Sequence, residues 1–373
     1  MDSGGPRAAT NARHRGAVRW PRGLAALITI LVLATLGLGW WFVHDRSTTS
    51  PPTVSVQGNE LVAPDGAQVQ LVGVNRSGTE FACLGGQQIF QGPVDDKAIA
   101  AMVTWHVRMV RIPLNEDCWL DINGVRPAVG GSNYQAAIAA YVKRLEAHGI
   151  AADLDLHWSA PGRQLADAQQ QMADADHSPQ FWRSVATRFR SDRHVTFELY
   201  NEPHDISWSC WRDGCTIPAK GGRPAWRAAG MQQLVDAVRA TGAKNVIFVG
   251  GLGHAGNLSH WAQMAPHDPA GQLAAAWHVY GVGGACSNPG CWQATLSAVG
   301  PHPVVVTEFG QDDCGSSFVD PLMDWLDSKH VGYLAWTWND WSGCGGPSLL
   351  TSYSGQPHAA YGQAVRAHLV QQS

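Results

Sequence analysis

Eight short apolar runs of β-type residues recur along the chain, and amphipathic segments of helical length separate most of them. The runs are QLVGVN (70–75), VRMVRIPL (107–114), AADLDLHW (151–158), HVTFELYN (194–201), NVIFVGG (245–251), LAAAWHVY (273–280), PVVVTEFG (303–310) and VGYLAWTW (331–338). Asn133–His148, Pro179–Arg190, Pro224–Thr241 and Phe318–His330 read as helices, while the links around 257–270 and 285–300 are irregular. Eight strands, seven crossovers and a helical tail at Tyr361–Gln371 predict an α/β fold, a (β/α)8 or TIM barrel. The rival doubly wound sheet would carry G-x-G-x-x-G after its first strand, and that motif is absent there.

Before the barrel the chain changes character. Gly23–Val43 is a run of 21 residues without a charge, long enough to span a bilayer as a helix. Five arginines precede it (Arg7, Arg13, Arg15, Arg19 and Arg22), and Trp40 and Trp41 close its far end. That pattern predicts a signal-anchor with residues 1–22 in the cytoplasm and the C-terminal body outside the cell membrane. A cleaved signal peptide would have a shorter apolar core, and its removal would leave the body secreted. Residues 44–56, rich in Ser, Thr and Pro, form a linker, and residues 57–373 make the globular domain.

Charge narrows the function. The net charge is −4, and residues 1–22 hold five arginines against one acid, so the remainder stands at −8. An acidic body offers no basic patch, which excludes nucleic acid as a partner. Eight cysteines (Cys83, Cys118, Cys210, Cys215, Cys286, Cys291, Cys314 and Cys344) fit an oxidising compartment. With neither C-x-x-C nor H-E-x-x-H present, they read as disulfides and no metal site or cofactor is implied. Eight cysteines allow 105 pairings. Neighbouring strand ends suggest Cys83–Cys118 and Cys314–Cys344, and Cys210–Cys215 and Cys286–Cys291 would close tight local loops.

A barrel of this kind places its chemistry at the C-terminal ends of the strands. Those ends carry Arg111, His157 with Trp158, Asn201 with Glu202, His278 with Tyr280, Glu308, and Trp336 with Trp338. Glu202 and Glu308 follow the fourth and seventh runs, which lie on opposite walls, so their carboxyls face each other across the mouth. One carboxyl to protonate a leaving oxygen and a second to attack is what cleavage of a glycosidic bond requires. His254, in the glycine-rich stretch after the fifth run, is a candidate substrate contact. Trp119, Trp158, Trp208 and Trp211 are candidate sugar platforms among 17 tryptophans, of which half or more belong to the core. Asp153 and Asp155 face the barrel interior or its helices, and Asp312 and Asp313 read as solvated or structural.

The segments LYNEPH (199–204) and TEFG (307–310), each after the expected strand, resemble the two signatures of glycoside hydrolase family 5, the cellulase family. The resemblance covers roughly residues 68–370. It implies a retaining glycosidase with Glu202 as acid/base and Glu308 as nucleophile, their carboxyls about 5–5.5 Å apart. It further implies substrate-binding roles for Arg111, His157, Asn201, His278 and Tyr280. Trp336, with Trp338 as the alternative, would be the floor under the sugar at the cleavage point. Glu202 has to hold a proton, so burial and the nearby Glu308 charge are expected to raise its pKa.

For substrate, the resemblance implies a β-linked polysaccharide. The extensions GTEFACLGGQQIFQGP (78–93) and NEDCWLDING (115–124) depart from a plain cellulase, and a short tether suits the cell's own envelope. The chain resembles a membrane-anchored, actinobacterial-type member of the family, and some such members act on galactofuranose-containing cell-wall galactan. The resemblance therefore implies cell-wall galactan with β-D-galactofuranosyl linkages, with endo-β-1,4-glucan or another β-glycan as the alternative. A non-catalytic carbohydrate-binding barrel is the remaining rival, and it would be expected to have lost one of the two carboxylates.

Overall fold

A computed structural model describes residues 50–371, apart from 282–285 and 345. The basic segment 1–22 and the anchor 23–43 lie outside the described residues. Among those described, no helix is long and apolar enough to cross a membrane.

The eight barrel strands are β1 (Val72–Asn75), β2 (Met109–Asn115), β3 (Ala151–Trp158), β4 (Val195–Glu198), β5 (Ile247–Gly250), β6 (Leu273–Tyr280), β7 (Val304–Gly310) and β8 (Gly332–Ala335). They pair in parallel in sequence order, and β8 returns to β1 to close the barrel. Around them run α1 (Asp96–Val103), α2 (Gly131–Ala147), α3 (Ser178–Phe189), α4 (Met231–Arg239), α5 (Pro289–Ala298), α6 (Val319–Ser328) and the closing α7 (Ala359–Gln371). Each of the eight expected strands is present. Between β5 and β6 the link contains only a four-residue helix, Trp261–Met264.

Residue alternation along the strands sorts the interior. On β3, Ala152, Leu154 and Leu156 pack outward against the helices, which leaves Ala151, Asp153, Asp155 and His157 for the inside. Ala151 belongs to an apolar plug with Leu71, Met109, Phe248, Ala274, Ala276, Val305 and Leu334 at the N-terminal end of the barrel. An antiparallel hairpin, Ser55–Gln57 with Glu60–Val62, adds Leu61 to that plug. Thr53 and Val56, at the end of the expected linker, are tied to the body through His194 and Gln272. Higher up, the inward positions turn polar, with Asn75, Arg111, Asp153, Asp155, Thr196, Glu198 and Thr307 all buried. The apolar layer gives the barrel its floor, and the polar layer above it is where chemistry can be held.

The expected helix at Pro224–Thr241 begins later than its sequence suggests. Trp226–Ala228 instead pairs antiparallel with Cys215–Ile217, and Ala229 N donates to Ala173 O. Gly230 then passes so close to residues 212–214 that a Cβ there would overlap backbone, and the helix starts only at Met231. Sheet pairing has overridden helix-compatible residues.

All four expected disulfides form: Cys83–Cys118, Cys210–Cys215, Cys286–Cys291 and Cys314–Cys344. Cys83–Cys118 closes a span of 35 residues and Cys210–Cys215 one of 5. Loop-closure entropy then ranks them, at about 4 kcal/mol for the long bridge and about 2 for the short one. Serine replacement of the Cys83 pair should therefore lower the denaturation midpoint more than replacement of the Cys210 pair, as measured by guanidinium unfolding.

Candidate active site

Arg111 on β2 is wholly buried and organises the barrel mouth. Its guanidinium grips Glu198 on β4 through two bonds, Nε to Oε2 at 2.9 Å and Nη2 to Oε1 at 3.0 Å. It also donates to Asn75 Oδ1 at 3.0 Å, Asn201 Oδ1 at 2.8 Å and Glu308 Oε1 at 2.5 Å. Asp155 on β3 lies 3.0 Å away. Asn75 in turn donates to the carbonyls of Thr307 and Leu334, so β1, β7 and β8 join the network.

Glu308 ends β7 with 5% of its side chain exposed. Arg111 holds one carboxyl oxygen, and the Tyr280 hydroxyl donates to the other at 2.6 Å. Burial, with the Glu308 charge beside it, pushes the Tyr280 hydroxyl well above its ordinary pKa, so it remains a neutral donor. Facing Glu308 is Glu202, 23% exposed, at the end of the β4 segment. His278 Nδ1 lies 3.1 Å from Glu202 Oε1 and 3.6 Å from Glu308 Oε2. One ligating atom each from Glu202, His278 and Glu308 falls within a 4.8 Å span. These three could geometrically take a cation, but each carboxylate already has donors of its own.

The electrostatics of Glu202 correct the sequence expectation. Burial alone would raise this carboxyl, but the hydrogen bonds and charge of His254 and His278 outweigh it and hold Glu202 below the usual range. His254 Nδ1 reaches Glu202 Oε2 at 3.2 Å, and its ring stacks on His204 with centroids 4.3 Å apart. The bond to Glu202 raises His254. Burial would depress His278, yet Glu308, Glu198 and Glu202 together raise it to about 10. The basis for expecting a high pKa was burial with the neighbouring carboxylate, and the two imidazoles in contact with Glu202 reverse that effect.

Asn201 directs its amide nitrogen to Gln169 Oε1 at 3.0 Å and toward His157 Nε2 at 3.5 Å. His157 Nδ1 is set 2.7 Å from Asp155. The half-buried Trp336 stacks on the His157 ring, with centroids 5.6 Å apart and planes 10° apart. Trp158 is half-buried beside Phe81. Trp338, the alternative floor, is wholly buried edge-on to Trp105 and has no face to offer a sugar. Trp119 and Trp211 are likewise core residues, packed against Phe181 and Trp208, and only Trp208 of the last pair is partly exposed. Asp312 is exposed, and Asp313 accepts from Gly315 N and Gln311 in its own loop.

Three participants escaped the sequence reading: Glu198, Asn75 and Gln169. Glu198 could have been found, since an acid at an inward position of the apolar run VTFEL has to be paired. Burial opposes its ionisation, but Arg111 and His278 prevail and bring its pKa down to about 2. Gln169 sits in an irregular segment between β3 and α3, and nothing local marks it.

Because His278 is raised in the folded protein above its unfolded pKa of about 6.5, its contribution to stability is complete below that pH. It is lost as pH rises toward 10. The melting temperature should fall over that window, and a His278→Asn variant should show a flatter profile by calorimetry.

The sequence profile described as Cellulase (glycosyl hydrolase family 5) matches residues 62–342. Endoglucanase E-5 of Thermobifida fusca is 23% identical over 341 residues, covering 85% of this chain and 63% of that protein. Endoglucanase CelA of Streptomyces lividans is 23% identical over 252 residues, 61% of this chain and 47% of its own length. The chain thus spans less than two thirds of these relatives. Among solved structures, the catalytic domain of Thermobifida fusca endoglucanase Cel5A superposes with a TM-score of 0.62 at 22% identity, covering 87% of this chain and 98% of the other. The β-glucanase SdGluc5_26A of Saccharophagus degradans, in complex with cellotetraose, gives 0.65 at 21% identity, with 88% and 96% covered. With its profile match extending over most of the barrel, this chain belongs to glycosyl hydrolase family 5.

Proposed function

We propose that this protein is a retaining β-glycanase that cleaves β-linked polysaccharide by double displacement. The observation carrying this reading is the spacing of Glu202 and Glu308, whose nearest oxygens come within 4.8 Å across the mouth. An inverting pair would stand roughly 6.5–9.5 Å apart to admit a water. Glu308, held in place by Arg111 and Tyr280, attacks the anomeric carbon and forms a glycosyl-enzyme. Glu202 protonates the departing oxygen, with its carboxyl oriented by His254 and His278, which lie in hydrogen-bond contact with it. In the second half-reaction Glu202 accepts a proton from the attacking water as general base. Asn201 meets the sugar 2-hydroxyl, His157 orients hydroxyls, and Trp336 is the platform beneath the ring.

For substrate, β-1,4-glucan is favoured over the galactan suggested by the loop extensions. The named relatives are endoglucanases. The two extensions are stapled together by Cys83–Cys118, with Cys83, Cys118 and Trp119 buried, so much of their distinctive sequence serves packing. Anchoring through residues 23–43, with the body outside the cell, remains part of the proposal. Its support is the set of four disulfides, with no free cysteine among the described residues.

Incubation with glucan, mannan, xylan and galactofuranan, followed by product sizing, should show release from β-1,4-glucan. Glu202→Gln should lower turnover of polysaccharide by roughly 10²–10⁴-fold, with a smaller loss on aryl glycosides whose leaving group needs no proton. A fluorinated mechanism-based sugar should be trapped on Glu308. An adduct elsewhere would refute the assignment, and release from galactofuranan alone would restore the galactan reading.

A further inference from the structure

A second cluster of ligating side chains lies apart from the carboxylate pair. Glu116 follows β2 directly, and Asp174 and His177 end the segment that joins β3 to α3. Sequence spacing gave no hint of a metal site, because 58 residues separate the first two and the fold alone brings them together. One atom from each now falls within 4.8 Å of the others. His177 Nδ1 is 3.9 Å from Glu116 Oε1 and 3.7 Å from Asp174 Oδ1.

The hydrogen bonds around this cluster do not satisfy it. Ser178 Oγ lies 2.5 Å from Glu116 Oε2 and 3.1 Å from Asp174 Oδ2, but a hydroxyl has a single proton to give. His177 N donates to Asp174 Oδ1 at 2.7 Å. Glu116 Oε1 and His177 Nδ1 are buried and have no hydrogen-bond partner, and both point into the space between the three side chains. Glu116 and Asp174 are wholly inaccessible. Among the described residues their ion-pair partner is His177, with no lysine or arginine beside them. A buried carboxyl oxygen without a partner is costly, and one aimed at an orphaned imidazole nitrogen marks where a cation would sit.

We propose that Glu116, Asp174 and His177 bind a divalent transition-metal ion of the zinc or manganese kind as a structural site. The donor set decides the class, since imidazole with carboxylate suits zinc or manganese whereas calcium takes an all-oxygen shell. The two edges from His177, 3.9 Å to Glu116 and 3.7 Å to Asp174, need to close by only a few tenths of an ångström to reach the edge of roughly 3.4 Å of a tetrahedron with bonds near 2.1 Å. The Glu116–Asp174 edge lies within 4.8 Å. The His177 side chain is 21% exposed, which gives an entry path and room for a water as the fourth ligand. The ion would clamp the β3–α3 segment to the end of β2. That segment carries Gln169, which accepts from Asn201 and donates to Glu202 O at 3.3 Å, so the clamp buttresses the barrel mouth without entering it. The site does not depend on the glycanase reading.

The purified full-length protein, stripped with EDTA and dialysed, would be melted with ZnCl2, MnCl2 or CaCl2, and its metal content measured before stripping. Zinc or manganese at about a hundredfold over its dissociation constant should raise the melting temperature by roughly 5 °C, and the rise should vanish in Glu116→Gln and His177→Ala. The partly exposed His177 keeps the test valid if Glu116→Gln fails to fold. The proposal is overturned by no rise with either ion, by a rise that survives His177→Ala, or by a response to calcium alone.

Discussion

The buried guanidinium of Arg111 is the interaction on which the barrel mouth depends. It contacts side chains from β1, β3, the β4 segment and β7 at once, so it couples strand register to the position of Glu308. A charge so deep is tolerated only because each of its edges meets an acceptor. Loss of the arginine would break buried ion pairs to Glu198 and Glu308 and leave His278 as their remaining cation, a kind of loss that costs about 3–5 kcal/mol. The same residue therefore serves the fold and the chemistry.

Around that fixed charge, two glutamates from opposite walls acquire different surroundings. Glu308 is braced by Arg111 and Tyr280, two donors that hold its carboxyl in a set orientation. Glu202 is more exposed and is tied to two imidazoles that fix its orientation. His278 lies between the two acids and Glu198, which explains how a buried histidine keeps its proton. Two chemically identical side chains thus acquire different surroundings from the fold.

Much of this was legible in the chain itself. The strands at 151–158 and 273–280 stand where their apolar runs predicted, because barrel strands are buried on both sides and their composition shows it. The cysteine pairs followed from loop adjacency once the strand order was known. Pro224–Thr241 was misread because cross-strand pairing of Trp226–Ala228 has no local signature. Trp338, Trp119 and Trp211 looked like sugar platforms and are core, since a tryptophan after a strand reads the same whether its face is covered or open. Glu202 was expected to be raised by burial and the Glu308 charge, and the opposing effect of His254 and His278 was not visible because these come from separate segments of sequence.

The sequence by itself determined the eightfold strand and helix alternation, the family signatures at 199–204 and 307–310, and the identity of the two facing carboxylates. These depend on residue order and local hydrophobicity, which survive in one dimension. Only the tertiary structure decided which tryptophans keep an open face, which way Glu202 is shifted, and that Glu116 meets Asp174 and His177. Those outcomes are set by burial and by charges distant along the chain, and such quantities acquire values only once the barrel has closed.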